Sequence, residues 1–300
     1  MAWALKYTNR HNLPEPLARA LANDTYSRGE AHISVTTLID SPQVAILKER
    51  HDEEIVEDVM DRIWSKFGTA IHSIIEDGSR DLPGYRAEER IFCEVNGWIV
   101  SGAVDLQTIG AASVVVTDWK TCSVWSVQNE KSSWQNQLNI YASLIERSTG
   151  KQVEELWIGA VMRDWKQGEA DRTRGYPQVP IQMVRIELWP REKRNLYLEQ
   201  RVKIHQEARR AAEWGEELPP CNAEEMWAHP DEWAVYKKGG KRAVKLCNSE
   251  QEARELLTEY EGGRIEARRG TRVRCERFCP VRDHCPQFKI YREGNNDRSD

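Results

Sequence analysis

The sequence predicts a mixed α/β protein, a sheet flanked by helices, with a cysteine-bearing module on its C-terminal side. Three observations predict it. Apolar residues recur at three-to-four spacing over 53–66 and again over 130–148, as in amphipathic helices. Between these stretches lie three strand-like runs, two of them joined by Asn96-Gly97, a strong hairpin signal. After Leu218-Pro219-Pro220 the chain turns basic, glycine-containing and rich in cysteine.

Each element follows from local pattern. Residues 1–30 are mixed and polar, with a turn-like Leu13-Pro14-Glu15-Pro16. Ile55, Val56, Val59, Ile63 and Trp64 mark a first helix, and a second is expected to start near Gly68 and turn Ile71, Ile74 and Ile75 inward. Residues 88–95 and 98–105 read as paired strands. Ser113 to Lys120 is a short apolar run, as expected of a central strand buried on both faces. Trp134, Leu138, Tyr141 and Ile145 share one helical stripe. Residues 154–164 and 180–188 suggest two more strands, 190–214 a long charged helix, and Arg292 to Asp300 a frayed tail. The expected boundaries are an N-terminal segment 1–31, a core 32–218, a basic cysteine module 219–291 and the tail 292–300.

Composition narrows the function. With 300 residues, 40% hydrophobic and 30% charged, the chain can bury a core, which excludes overall disorder. No stretch approaches the roughly 20 apolar residues of a membrane span, and the opening Met1-Ala2-Trp3-Ala4-Leu5-Lys6 lacks the apolar core of a signal peptide, so an intracellular, cytoplasmic location is expected. A net charge of −5 argues against a protein that coats nucleic acid nonspecifically, but not against an enzyme that touches DNA through a local patch. Seven cysteines with no export signal argue against a disulfide framework.

The residues that carry chemistry sit at strand ends. Asp118 and Lys120, two apart in a strand, point to one face. Asp105 closes the preceding strand, in Gly102-Ala103-Val104-Asp105, and pairing of the two strands would bring it to Asp118. Two converging carboxylates suit a hard cation, Mg²⁺ or Mn²⁺. A lysine beside them can hold a phosphate or orient a water. His72, in Gly68-Thr69-Ala70-Ile71-His72, flanks an apolar stripe and can add a metal ligand, while Glu76 one turn on reads as a solvated carboxylate. Gln137 and Tyr141 lie four apart on the buried side of their helix, where a glutamine needs partners.

These motifs in this order, G-T-x-x-H, G-x-x-D, D-x-K and Q-x-x-x-Y over residues 32 to 148, resemble the PD-(D/E)XK nuclease superfamily, and within it the RecB-type branch, which includes CRISPR-adaptation and AddB-type exonucleases and phage recombination nucleases. Ser34-Val35-Thr36 resembles that branch's opening segment. The resemblance implies a restriction-endonuclease-like fold and a Mg²⁺- or Mn²⁺-dependent deoxyribonuclease, an exonuclease of recombination, repair or DNA processing. It implies that His72, Asp105 and Asp118 bind the metal, that Lys120 positions the attacking water, and that Gln137 and Tyr141 orient Lys120 or the DNA backbone. The expected substrate is DNA with free or single-stranded ends, with a homo-oligomer or a recombination protein as possible partner. The alternatives are a nuclease fold kept as an inactive DNA-binding or assembly protein, and a zinc-ribbon interaction protein.

Cys275-x₃-Cys279-x₅-Cys285 resembles the C-terminal trio that, in Fe–S members of the branch, joins one upstream cysteine around a [4Fe–4S] cluster. Those relatives carry the fourth ligand ahead of the histidine motif, where this chain has no cysteine. Cys221, which opens the same module, is the expected fourth ligand; Cys247, Cys122, Cys93 and His284 are weaker candidates, and Zn²⁺ is the alternative occupant. Two basic stretches carry expected DNA-backbone contacts: Lys237, Lys238, Lys241 and Arg242 in the first, Arg268 and Arg269 in the second. Trp227 and Trp233 read as packing residues in preference to base-stacking ones.

Overall fold

The computed structural model describes residues 6–23, 29–129 and 131–296. In chain order its elements are β1 (Tyr7–Thr8), α1 (Glu15–Ala22), β2 (Ile33–Ser34), α2 (Val35–Leu38), α3 (Pro42–Arg50), β3 (Glu57–Asp58), α4 (Ile63–Ser79), β4 (Tyr85–Val95), β5 (Trp98–Ile109), β6 (Ser113–Cys122), α5 (Val124–Gln128) and α6 (Ser132–Thr149). There follow β7 (Gln152–Met162), α7 (Gln167–Ala170), β8 (Ile181–Ile186), α8 (Arg191–Trp214), β9 (Glu232–Tyr236), β10 (Lys245–Cys247), α9 (Glu250–Leu257), β11 (Arg264–Arg268) and α10 (Pro286–Asn296). No helix among the described residues is long and apolar enough to cross a membrane. The chain divides into two compact units, Met1–Pro42 with Glu53–Glu217, and Gln43–Asp52 with Leu218–Asp300. The second unit therefore takes in most of α3, a segment the sequence pattern assigns to the core.

The first unit is built on a mixed sheet in the order β2-β5-β6-β7-β8, with β4 paired to β5. Asn96 and Gly97 both take positive φ, as a type I′ turn requires, and join β4 to β5 with Val95 opposite Trp98. β6 and β7 run parallel over their whole lengths, connected through α6. The stripe Trp134, Leu138, Tyr141 and Ile145 is buried as its spacing requires, against Val104, Val116, Leu156 and Ile158 of the sheet. α8 buries Arg194, Leu198, Val202, His205, Ala208 and Ala211, one face of an otherwise charged helix.

Several polar groups inside this core are partnered. Asn139 donates to the carbonyls of Gln135 and Glu187 and accepts from the Trp189 amide. Glu146 pairs with buried Arg194 and accepts from the Val153 amide. In the middle of α8, the Arg201 guanidinium donates to the Leu38 carbonyl at 2.7 Å, and His205 Nε2 lies 3.2 Å from the same oxygen.

Several elements differ from the sequence pattern. Residues 53–66 do not form one helix. Asp58 ends β3 beside β1, accepts from Thr8, Arg10 and the Met60 amide, and starts a 3₁₀ turn at Val59–Arg62. α4 then runs unbroken through Gly68. α4 buries no residue, so Ile71, Ile74 and Ile75 are not turned into a core. The Pro-containing stretch expected to turn is α1, with a proline in its first turn, where the fixed φ suits a helix start. Arg292 to Asn296 continue α10; the rest of the expected tail, and the opening residues 1–5, lie outside the described residues.

In the second unit β9 is the centre of an antiparallel sheet, β10-β9-β11, and α9 covers it through Val235, Cys247 and Ala253. A π-turn at Arg274–Phe278 and a 3₁₀ turn at Arg282–His284 lead into α10.

Burial, and next the Arg201 charge, hold His205 down at about 4. An unfolded chain takes up that proton near pH 6.5, so the stability linked to this group is fully present above that pH and is lost as pH drops from about 6.5 to about 4. Urea unfolding across this window should show His205→Gln losing up to about 3 kcal/mol of the wild-type pH dependence.

Candidate active site

The site forms where β5 and β6 separate. One edge of β5 pairs with β4 nearly throughout. Its other edge is shared: Val100 and Ser101 pair with β2, and Leu106 to Ile109 with β6. The β5–β6 ladder stops at Leu106↔Thr117, so Asp105 and Asp118 are the first residues beyond it. There a side chain replaces the ladder, because Asp105 Oδ2 accepts the Trp119 amide at 2.7 Å. Gln137 Nε2 donates to Asp118 Oδ1 at 3.1 Å, and the Lys120 ammonium stands 2.7 Å from Asp118 Oδ2 and donates to Gln137 Oε1 at 3.0 Å. Gln137 Nε2 also reaches the Tyr141 hydroxyl at 2.9 Å. Gly102 makes this approach possible: a Cβ there would lie 2.5 Å from the Tyr141 ring.

From α4, His72 Nε2 lies 3.6 Å from Asp105 Oδ2, and its Nδ1 is 2.9 Å from Glu88 Oε1. Glu88 is a site residue the sequence motifs miss. The turn at Asn96-Gly97 sets the β4–β5 register, in which Ala87 pairs with Leu106 and Glu89 with Val104, so Glu88 falls opposite Asp105. Its φ of +52° breaks the regular strand at that point. Counting back from the hairpin turn would have found it. The ligand atoms of His72, Glu88 and Asp105 all lie within 4.8 Å of one another. Glu76, by contrast, is exposed.

Electrostatics bind these groups together. Burial, then the Asp118 charge, push the Asp105 carboxyl up to about 8, against the pull of His72 and Lys120. The hydrogen bond to Glu88 outweighs burial at His72 and, with the charges of Asp105, Glu88 and Asp118, holds it up at about 9. Burial opposes the Lys120 ammonium, but Asp118 and Asp105 keep its pKa above the ordinary lysine value. Asp105 is buried beside a second carboxylate, and His72 and Lys120 do not fully offset that burial and repulsion. Asp118 Oδ2 is buried, with the Lys120 ammonium 2.7 Å away. Oxygen donors in need of positive charge, with one imidazole, fit a divalent cation.

The second unit holds the cysteines. Cys221 Sγ and Cys285 Sγ both point at Gln43 Oε1, at 3.5 and 3.6 Å. Gln287 fixes Cys221 from both sides, accepting its amide at 2.8 Å and donating to its carbonyl at 2.9 Å. Burial, then the neighbouring Cys279 and Cys285, push the Cys275 thiol up. Cys221 and Cys285 thus share a partner in Gln43, while Cys275 feels Cys279 and Cys285. The weaker candidates sit elsewhere: Cys247 in the small-sheet core, Cys122 and Cys93 on the main sheet, while the His284 ring stacks on His51 at 4.0 Å. A thiol raised by its cysteine neighbours fits a site whose thiolate charge is neutralised by metal.

The basic stretches are not brought together. Lys237, Lys238, Lys241 and Arg242 are exposed between β9 and β10, where the Lys237 ammonium lies over the Tyr260 ring. Arg268 pairs with Glu232, at the opposite end of β9, donates to the Tyr236 hydroxyl and precedes exposed Arg269. Trp233 packs against the small-sheet core; Trp227 is half exposed against Phe278.

A forked sheet carrying D, D-x-K, an upstream histidine and a glutamine on the following helix defines a metal-assisted phosphodiesterase class of site. The family model described as the PD-(D/E)XK nuclease superfamily matches residues 43–286, and the chain belongs to that superfamily. Comparison with curated proteins gives no match. Among solved structures, SSO0001 is similar at 15% identity and TM-score 0.44, over 63% of this chain and 84% of its own. A candidate exonuclease from Eubacterium rectale is similar at 14% identity and TM-score 0.30, over 67% of this chain and 73% of its own.

Proposed function

We propose that the protein is a Mg²⁺- or Mn²⁺-dependent deoxyribonuclease acting as an exonuclease. The observation that supports this most is the strand fork, which gathers Asp105, Asp118, Lys120, His72 and Glu88. Asp105, Asp118, His72 and Glu88 would hold the cation. A bound divalent cation supplies Lewis acidity, activating a water and neutralising charge at the phosphate. Lys120, locked between Asp118 and Gln137, keeps its proton and offers a fixed positive charge to a phosphate oxygen. Gln137 holds Lys120 and Asp118 at once, and Tyr141 fixes the amide of Gln137. The preference for ends follows the resemblance of the motif order to RecB-type exonucleases, as does a role in recombination or repair.

Cys221, Cys275, Cys279 and Cys285 would ligate a [4Fe–4S] cluster, with Zn²⁺ as the alternative, and staple a segment whose small sheet buries little of its own. Lys237, Lys238, Lys241 and Arg242 would contact the DNA backbone as one group, apart from Arg268 and Arg269.

End-labelled linear DNA with Mg²⁺ or Mn²⁺ should be shortened progressively, while covalently closed circles survive. Lys120→Ala should lower kcat by about 10²–10³-fold, the loss expected when one preorganised charge is removed. Full activity in Lys120→Ala, or equal attack on circles, contradicts the reading. In anaerobically purified protein, Cys221→Ser should lose bound iron and sulfide, or zinc, relative to wild type, whereas Cys247→Ser should keep it; equal metal content in both rules out Cys221 as a ligand.

A further inference from the structure

We infer that an aromatic and cationic rim at the C-terminal ends of β6 and β7 is a binding platform for unpaired nucleotides, which would make single-stranded DNA ends the substrate of the proposed site. This rests on the nuclease reading and adds the substrate form. The starting observation is α4. It carries His72 at the site, yet none of its residues is buried, and Trp64 and Phe67 are 54% and 40% exposed. Their rings meet edge to face at 6.5 Å. The Arg163 guanidinium covers the Trp64 ring at 4.4 Å.

A second exposed tryptophan follows the end of β6. Trp125, 59% exposed, carries the Lys131 ammonium 4.6 Å from its ring. The strand ends that bear these groups are tied together: the Arg163 amide donates to the Cys122 carbonyl at 2.9 Å, and the Val124 amide to Asp164 Oδ1 at 2.8 Å. Asp164 is thereby occupied, and Arg163 and Lys131 both lie within electrostatic reach of Cys122. Cys122 is two residues beyond Lys120. Along α4, Trp64 stands about 12 Å before His72. The rim therefore adjoins the strand end that presents the reacting groups.

The charges select the occupant. Both exposed tryptophans of the rim are paired with a cation, Trp64 with Arg163 and Trp125 with Lys131. Bases stack on aromatic faces irrespective of sequence while cations follow the phosphates, which is the chemistry of single-strand binding. Duplex DNA hides its base faces and gains nothing from exposed tryptophans.

Anisotropy titrations of labelled oligothymidine and of a duplex of equal length test this in the full chain, with chelator present to stop cleavage. Trp64→Ala/Trp125→Ala should weaken oligothymidine binding by about 10–100-fold. Duplex binding should change less than about twofold. Trp64→Phe/Trp125→Phe, which keeps the rings, should restore most of the loss, and separates stacking from a folding defect. Arg163→Ala should flatten the salt dependence of single-strand binding by about 0.7 in log–log slope. Trp214→Ala, exposed at the end of α8, serves as the unaffected control. Unchanged oligothymidine binding in the double alanine variant, or equal weakening for both DNAs, overturns the platform. So does self-association that the variant abolishes in a protein that does not bind oligothymidine. A protein that binds oligothymidine through these residues yet never cleaves DNA keeps the platform and loses the nuclease reading; one that cleaves but ignores the substitutions does the reverse.

Discussion

The hydrogen-bond ladder between β5 and β6 ends at Leu106↔Thr117, and the site depends on that ending. β5 cannot pair with β2 and β6 over the same residues, so an interval between the two pairings is left open. Asp105 bridges the opening with a side-chain acceptor, and Asp118 emerges into it with buried oxygens. A continued ladder would satisfy the backbone but leave no space for three carboxylates, a lysine and an imidazole. Burying those groups is costly unless they are paired or bound to a cation; the raised pKa of Asp105 expresses that cost, and the raised pKa of His72 expresses its pairing with Glu88 and the neighbouring carboxylates.

The surrounding fold supports this opening. α6 serves both purposes with different residues: Leu138, Ile140, Leu144 and Ile145 fill the core, while Gln137 and Tyr141 hold Asp118 and Lys120. Gly102 and Gly159 leave the room for this. A Cβ at Gly159 would lie 2.4 Å from the Trp119 ring, so the strand residue between Asp118 and Lys120 is seated by an absent side chain. Removal of a side chain is here as specific a feature as any contact.

Much of the fold was legible because pattern and burial agree. The stripe of α6, the hairpin at Asn96-Gly97 and the apolar run of β6 each answer to a single period and one environment. Asp105, Asp118 and Lys120 were legible because charges ending apolar strands are conspicuous. The start of α4 was not, because Asp58 makes its contacts with Thr8 and Arg10, roughly 50 residues away, and no local window contains them. α4 itself misled: its apolar residues have helical spacing but no core to enter. Glu88 was hidden by its place in a charged stretch, and only strand register reveals it. Cys221 was ambiguous in sequence, since the contacts through Gln43 and Gln287 join residues distant along the chain.

The central claim is that register across β4, β5 and β6 aligns Glu88, Asp105 and Asp118 into one cation site. Titration of Mn²⁺ against the full chain, with the free ion counted by electron paramagnetic resonance, tests it directly. Wild type should bind Mn²⁺, Asp105→Asn should lose the site, and Glu88→Gln should bind roughly 10–100-fold more weakly while remaining folded. Undiminished Mn²⁺ binding in both variants would contradict the account.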